Sequence, residues 1–166
     1  MSEKNAADAE EHSGGCLCGD LRYQLTGNPL LLTICYCTFC QRATGSSHLV
    51  EPIWKEEAFV FTSGKPEIFR AVSRGSSKQI TISFCQRCGT KLCQSMERFA
   101  GVIGIYAGTL DHPDIAATAT ETWRIFVDDA PKGTSIPAGV KFWRQHRLAD
   151  DGTPNDPIVF EGPHTI

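Results

Sequence analysis

Phe84-Cys85-Gln86-Arg87-Cys88-Gly89-Thr90 is the stretch from which the rest of the chain can be read. Two cysteines separated by two residues turn both thiolates toward one ion, and the glycine that follows tolerates the backbone such a turn requires. That knuckle supplies half of a tetrahedron, so a second pair of ligands has to come from elsewhere. Cys16-Leu17-Cys18-Gly19 provides it. In an extended segment residues i and i+2 point to the same side, so these two thiols grip an ion as a clamp. Cys16, Cys18, Cys85 and Cys88 then form a closed structural zinc site. It closes a loop of about seventy residues, for which a free chain would lose considerable entropy.

Between and beyond these anchors the sequence reads as short strands punctuated by turn residues. Leu21 to Leu25 alternates apolar and polar and ends at Gly27-Asn28-Pro29. Leu30 to Ile34 is a buried apolar run. His48 to Trp54, Ala58 to Phe61, Ile68 to Val72, Gln79 to Phe84, Val102 to Tyr106 and Trp123 to Val127 are further strands. Helical signals are few: a turn or two after Cys40 through Ala43, ending at Gly45, and a second short helix after Pro137 through Phe142-Trp143. The fold class is mainly β, with packed antiparallel sheets, a structural zinc site and few short helices. Residues 1–13 are polar and acidic and read as a disordered tail. Residues 14–148 form one zinc-binding domain, and residues 149–166, rich in Asp, Gly and Pro, an irregular tail that packs through Ile158-Val159-Phe160.

Cys35-Tyr36-Cys37-Thr38-Phe39-Cys40 differs from the first two clusters. It combines the i, i+2 clamp with a knuckle, so three thiolates converge within one short segment. Three protein ligands and an open fourth position describe a catalytic zinc site; a fourth ligand from elsewhere, Cys93 or His48, would instead close it as a structural one. A redox dithiol at Cys37 and Cys40 is the competing reading. That motif belongs in a βαβ setting, which this sequence lacks, and Cys35 is one thiol too many for it.

With 166 residues, eight cysteines and a net charge of -3, the chain is one globular domain whose acidity gives no reason to expect nucleic acid. A local basic patch, such as Arg70, Arg74 and Lys78, is most simply read as a solvated strand edge. No apolar run approaches the roughly 18 residues needed to span a bilayer, and the first dozen residues lack the apolar segment of a signal peptide. The expected location is the cytoplasm, where clustered cysteines hold metal rather than disulfides.

Three segments in order, Gly14 to Gly19, Cys35 to Gly45 and Phe84 to Leu92, resemble the glutathione-dependent formaldehyde-activating enzymes, which share a domain with centromere protein V. The resemblance spans roughly residues 14–146. It implies a β-tent fold and two zinc ions, one structural on Cys16, Cys18, Cys85 and Cys88, the other on Cys35, Cys37 and Cys40 as the reaction centre. It also implies a carbon–sulfur lyase, or S-(hydroxymethyl)glutathione synthase, joining a thiol such as glutathione to a small aldehyde. Arg42, directly after the triple cluster, is a candidate clamp for a glutathione carboxylate, with backbone donors from Gly45-Ser46-Ser47. Cys93 and His48 depart from the family pattern, and Cys93 reads as an inert buried thiol. A non-catalytic zinc module that binds a protein partner is the alternative.

Charge counting favours the enzyme's chemistry. Three thiolates on Zn²⁺ leave the site at -1 and a fourth makes it -2. Such a centre is a poor Lewis acid that holds an electron-rich sulfur, so it suits a thiol nucleophile better than zinc-bound hydroxide.

Overall fold

The computed structural model describes residues 10–73 and 76–166. Its frame is a seven-stranded sheet with the order β10-β3-β4-β9-β8-β7-β6. The strands are β3 (Leu31–Cys35), β4 (Leu49–Lys55), β6 (Glu67–Val72), β7 (Gln79–Phe84), β8 (Lys91–Met96), β9 (Val102–Ile105) and β10 (Thr122–Ile125). All neighbours pair antiparallel except β10, which lies parallel to β3. A smaller antiparallel sheet, order β1-β2-β5, is built from Glu11–Gly15, Arg22–Thr26 and Phe59–Ser63. Among the described residues the architecture is therefore mainly β, as the sequence implies, and every strand read from it is present within a few residues.

The period of two in each strand sorts the side chains. Cross-strand partners share a face, so Trp54, Ile103, Ile105 and Cys93 line one side of the large sheet. That side meets Tyr23, Leu25, Phe59 and Phe61 of the small sheet in the main core. Burying a side chain of this size contributes about 1.5–3 kcal/mol, and Tyr23, Leu25, Trp54 and Ile105 are all sealed from solvent. The opposite side of the large sheet carries Cys35, Leu49, Glu51, Ile53, Gly104 and Gln94. It is the side on which the site is built.

The one α-helix among the described residues, α1 (Thr38–Thr44), is the short turn read after the triple cluster, and Gly45 caps it. The second expected helix does not form. Gly139 adopts φ 73°, a conformation that breaks a helix, and the chain then runs extended. Phe142 bridges Arg124 on one side and Ile158 on the other.

β1 pairs with β2 from Glu11 onward, within the last residues of the expected tail; residues 1–9 of that tail lie outside the described residues. Residues 149–166 are irregular but not detached. Ile158, Phe160 and Ile166 pack on a third apolar cluster of Tyr36, Val127, Ile136 and Phe142. β12 (His164–Thr165) pairs with β11 (Ser135–Ile136), and Trp143 Nε1 donates to the Asn155 carbonyl. Of the basic patch, Arg70 is exposed on β6 and Lys78 pairs with Glu97, while Arg74 lies outside the described residues.

Candidate metal centres and active site

Cys16, Cys18, Cys85 and Cys88 come together, their sulfurs all within 4.8 Å of one another. The separations of 3.5 Å between Cys16 and Cys18 and 3.7 Å between Cys18 and Cys85 match a tetrahedron of sulfurs. With zinc–sulfur bonds of about 2.3 Å its edge is about 3.8 Å. Cys16 and Cys18 lie in the tight turn after β1 rather than on a strand: the Cys16 amide donates to Leu21 and its carbonyl accepts from Gly19. The turn brings the two thiols to one side, as a strand would. Cys85 and Cys88 sit in the β7–β8 turn, where Gly89 takes φ 74°. Leu21 N–H donates to Cys16 Sγ at 3.2 Å, and the Thr90 hydroxyl lies 3.1 Å from Cys88 Sγ. The Thr90 hydroxyl and then its amide hold the Cys88 thiol down to about 5. Four thiols with hydrogen bonds to their sulfurs fit a closed zinc site joining the small sheet to the large one.

Cys35, Cys37 and Cys40 form the second group, again within 4.8 Å. Cys35 ends β3, Cys37 is the N-cap of α1 and accepts from the Cys40 amide at 3.4 Å, and Cys40 is in the first turn. Gln41 Nε2 ties this turn down by donating to the carbonyls of Tyr36 and Asp129 at 2.6 and 2.8 Å. The neighbouring thiol of Cys35, then that of Cys40, holds Cys37 down to about 3. Cys35 is pushed up by the Cys37 thiol first, opposed by that of Cys40, and Cys40 is pushed up by the thiols of Cys35 and then Cys37. Three crowded thiols cannot all ionise without a cation, so the donor set fits a zinc ion. It also sets the group apart from a two-thiol redox pair.

No fourth ligand joins these three among the described residues. Cys93 lies on the other face of the sheet, in the core against Ile105, and burial pushes its thiol up to about 12. His48 hydrogen-bonds Ser47 and packs on Tyr36. The three thiols instead open onto a cavity of about 420 Å³. Its walls are largely apolar, with Leu31, Phe39, Ile53, Val102, Trp123 and Phe126 among them. Arg42 is exposed on α1 and is not among the lining residues, nor are Gly45, Ser46 and Ser47.

Glu51 belongs to no motif that singles it out in the sequence. It is 3% exposed, lines the same cavity, and its Oε1 has no hydrogen-bond partner. Burial drives its carboxyl up to about 7, opposed by a hydrogen bond from Gln94 and helped by the charge of Cys37. The available signal is its position: Leu49, Glu51 and Ile53 share a face by the period of two, so an inward strand face carries an acid.

A mainly β chain with a four-thiol group and a three-thiol group at a cavity defines a protein with two cysteine clusters fit to hold metal ions, consistent with zinc. The chain belongs to the glutathione-dependent formaldehyde-activating enzyme family, whose sequence profile matches residues 11–128. A solved Rhodobacter sphaeroides protein is similar in fold, at 16% identity and a TM-score of 0.51 over 67% of this chain and 98% of that one. Comparison with curated proteins returns no match. No helix among the described residues is long and apolar enough to cross a membrane.

Proposed function

We propose that the protein is a zinc-dependent carbon–sulfur lyase that makes and breaks adducts between a thiol such as glutathione and an aldehyde. The observation that carries this reading is the three-thiol group facing a cavity with no fourth protein ligand among the described residues. Cys35, Cys37 and Cys40 would hold a zinc ion, and its chemistry there would be to favour the thiolate form of the substrate thiol. The chain's own contribution is positional. Gln41 fixes the turn that presents Cys37, the Cys40 amide steadies the Cys37 sulfur, and the apolar walls keep water from the reacting carbon. The second zinc, on Cys16, Cys18, Cys85 and Cys88, is structural. A non-catalytic module would be favoured by a sealed second site, and the position of Cys93 argues against that seal.

Native mass spectrometry with and without glutathione tests the proposal. The expected result is two zinc ions per chain and a glutathione adduct that disappears in Cys37→Ser, together with adduct synthesis from aldehyde. A folded Cys37→Ser protein with undiminished turnover would overturn the mechanism.

A further inference from the structure

Thr33, Glu51 and Gln94 are the fully buried polar residues of the described chain, and all three line the cavity beside the triple cluster. Thr33 faces Glu51 across β3 and β4, while Glu51 and Gln94 flank Gly104 of β9 on the same face. A Cβ at Gly104 would overlap the Glu51 carboxyl, so the sheet leaves that space for the acid. Tyr106 O–H donates to Gln94 Oε1 at 3.3 Å, which leaves the Gln94 amide to donate toward Glu51. Two buried atoms without partners belong to lining residues, Glu51 Oε1 and Trp123 Nε1. An unpartnered buried polar group is costly, and a ligand oxygen would satisfy Trp123 Nε1 and a protonated Glu51 carboxyl.

Around this polar point the walls are mostly hydrocarbon and aromatic, with Lys78, Arg98 and His146 also in the lining. A one-carbon aldehyde would leave most of the apolar part of about 420 Å³ empty, while the lining cations Lys78 and Arg98 suit the carboxylates of a thiol such as glutathione. We propose that the cavity binds the electrophile as an apolar aldehyde of several carbons, with the Glu51 carboxyl hydrogen-bonded to the carbonyl oxygen. This rests on the thiol–aldehyde reading above. The carboxyl value of about 7 agrees with it, since the group can then hold or release a proton near neutrality.

The step balances without an oxidant or reductant. The thiolate sulfur bonds to the carbonyl carbon, and the carbon–oxygen π pair moves to oxygen. That oxygen takes the proton of the Glu51 carboxyl. The proton lost when the substrate thiol ionised returns to Glu51, and the product is a hemithioacetal. The reverse sequence is the lyase direction.

The zinc-loaded full-length protein is assayed with glutathione and straight-chain aldehydes from formaldehyde to octanal, following adduct exchange by NMR. In parallel, binding of 2-octanone without thiol is followed by tryptophan fluorescence. Expected are a rise in kcat/KM of about threefold to fourfold per methylene until the cavity fills, and saturable ketone binding. In Glu51→Gln, which can still donate a hydrogen bond, ketone affinity stays within about threefold while kcat falls at least about 100-fold. A flat or falling chain-length series, absent ketone binding, or unchanged kcat in a Glu51→Gln protein of normal zinc content each overturns the proposal. Turnover of formaldehyde without ketone binding would refute the apolar site and leave the thiol–aldehyde reading standing. Ketone binding that weakens more than tenfold in Glu51→Leu, without turnover of any aldehyde, would do the reverse.

Discussion

Replacing Glu51 by Gln removes the only fully buried carboxyl among the described residues without changing its size. Its effect on stability follows from where the proton sits. In the unfolded chain the group titrates near 4.5, whereas burial in the fold raises it to about 7. Between those values the folded protein holds a proton that the unfolded chain has released, so the stabilisation is complete below about pH 4.5 and is lost as pH rises through about 7. At about 1.4 kcal/mol per pH unit the whole interval amounts to about 3 kcal/mol. From about pH 6 to pH 8.5 the part lost is about 1 kcal/mol. The amide of the Glu51→Gln variant carries no such titrating proton. Urea denaturation of both proteins at matched free zinc should therefore show the variant gaining about 1 kcal/mol on the natural chain over that range. Titration of the cysteines is common to both proteins apart from the mutual repulsion of Glu51 and Cys37. Parallel pH profiles would refute the reasoning, and so would a variant that loses ground as pH rises.

Three further outcomes are expected. Gly104→Ala drives a methyl group into the Glu51 carboxyl and should cost about 1–3 kcal/mol in denaturant unfolding, part of which returns in the Gly104→Ala/Glu51→Ala double variant. Cys93→Ala should leave the zinc content at the natural value by elemental analysis and cost about 1 kcal/mol, because Cys93 faces the inter-sheet core; loss of one zinc would contradict that placement. Truncation after Asp156 removes Ile158 and Phe160 from the cluster with Phe142 and Val127. It should lower stability by about 2 kcal/mol, read as a lower melting temperature.

What the sequence revealed follows from the range of each signal. Ligand spacing is local, so Cys85 and Cys88, and likewise Cys35, Cys37 and Cys40, could be read as metal sites from a few residues each. The pairing of Cys16 and Cys18 with Cys85 and Cys88 could be read because each pair alone is half a site. The strands were visible through alternation and β-branched content. Sheet order was not, because pairing β10 with β3 is a contact between distant segments whose compositions carry no address. The side on which Cys93 lies depends on register, which a strand in isolation does not have. The same holds for Glu51, whose burial appears only when β3, β9 and β8 are laid beside β4. The helix expected after Pro137 failed because Phe142 found extended partners on two sides.

The parallel pairing of β10 with β3 bears on how the chain is made. β3 leaves the ribosome with one edge matched by β4, the next strand, but its other edge waits for residues 122–125. About ninety residues intervene, which at ordinary elongation rates is about 5–20 s. For that interval a strand ending in Cys35 stays open to wrong partners, and the thiols of the triple cluster lack the roof that Trp123 and Ile125 later supply. Early capture of a metal ion by those thiols would hold β3 and α1 together while synthesis finishes, so metal supply during translation, as well as afterwards, would then bear on correct assembly.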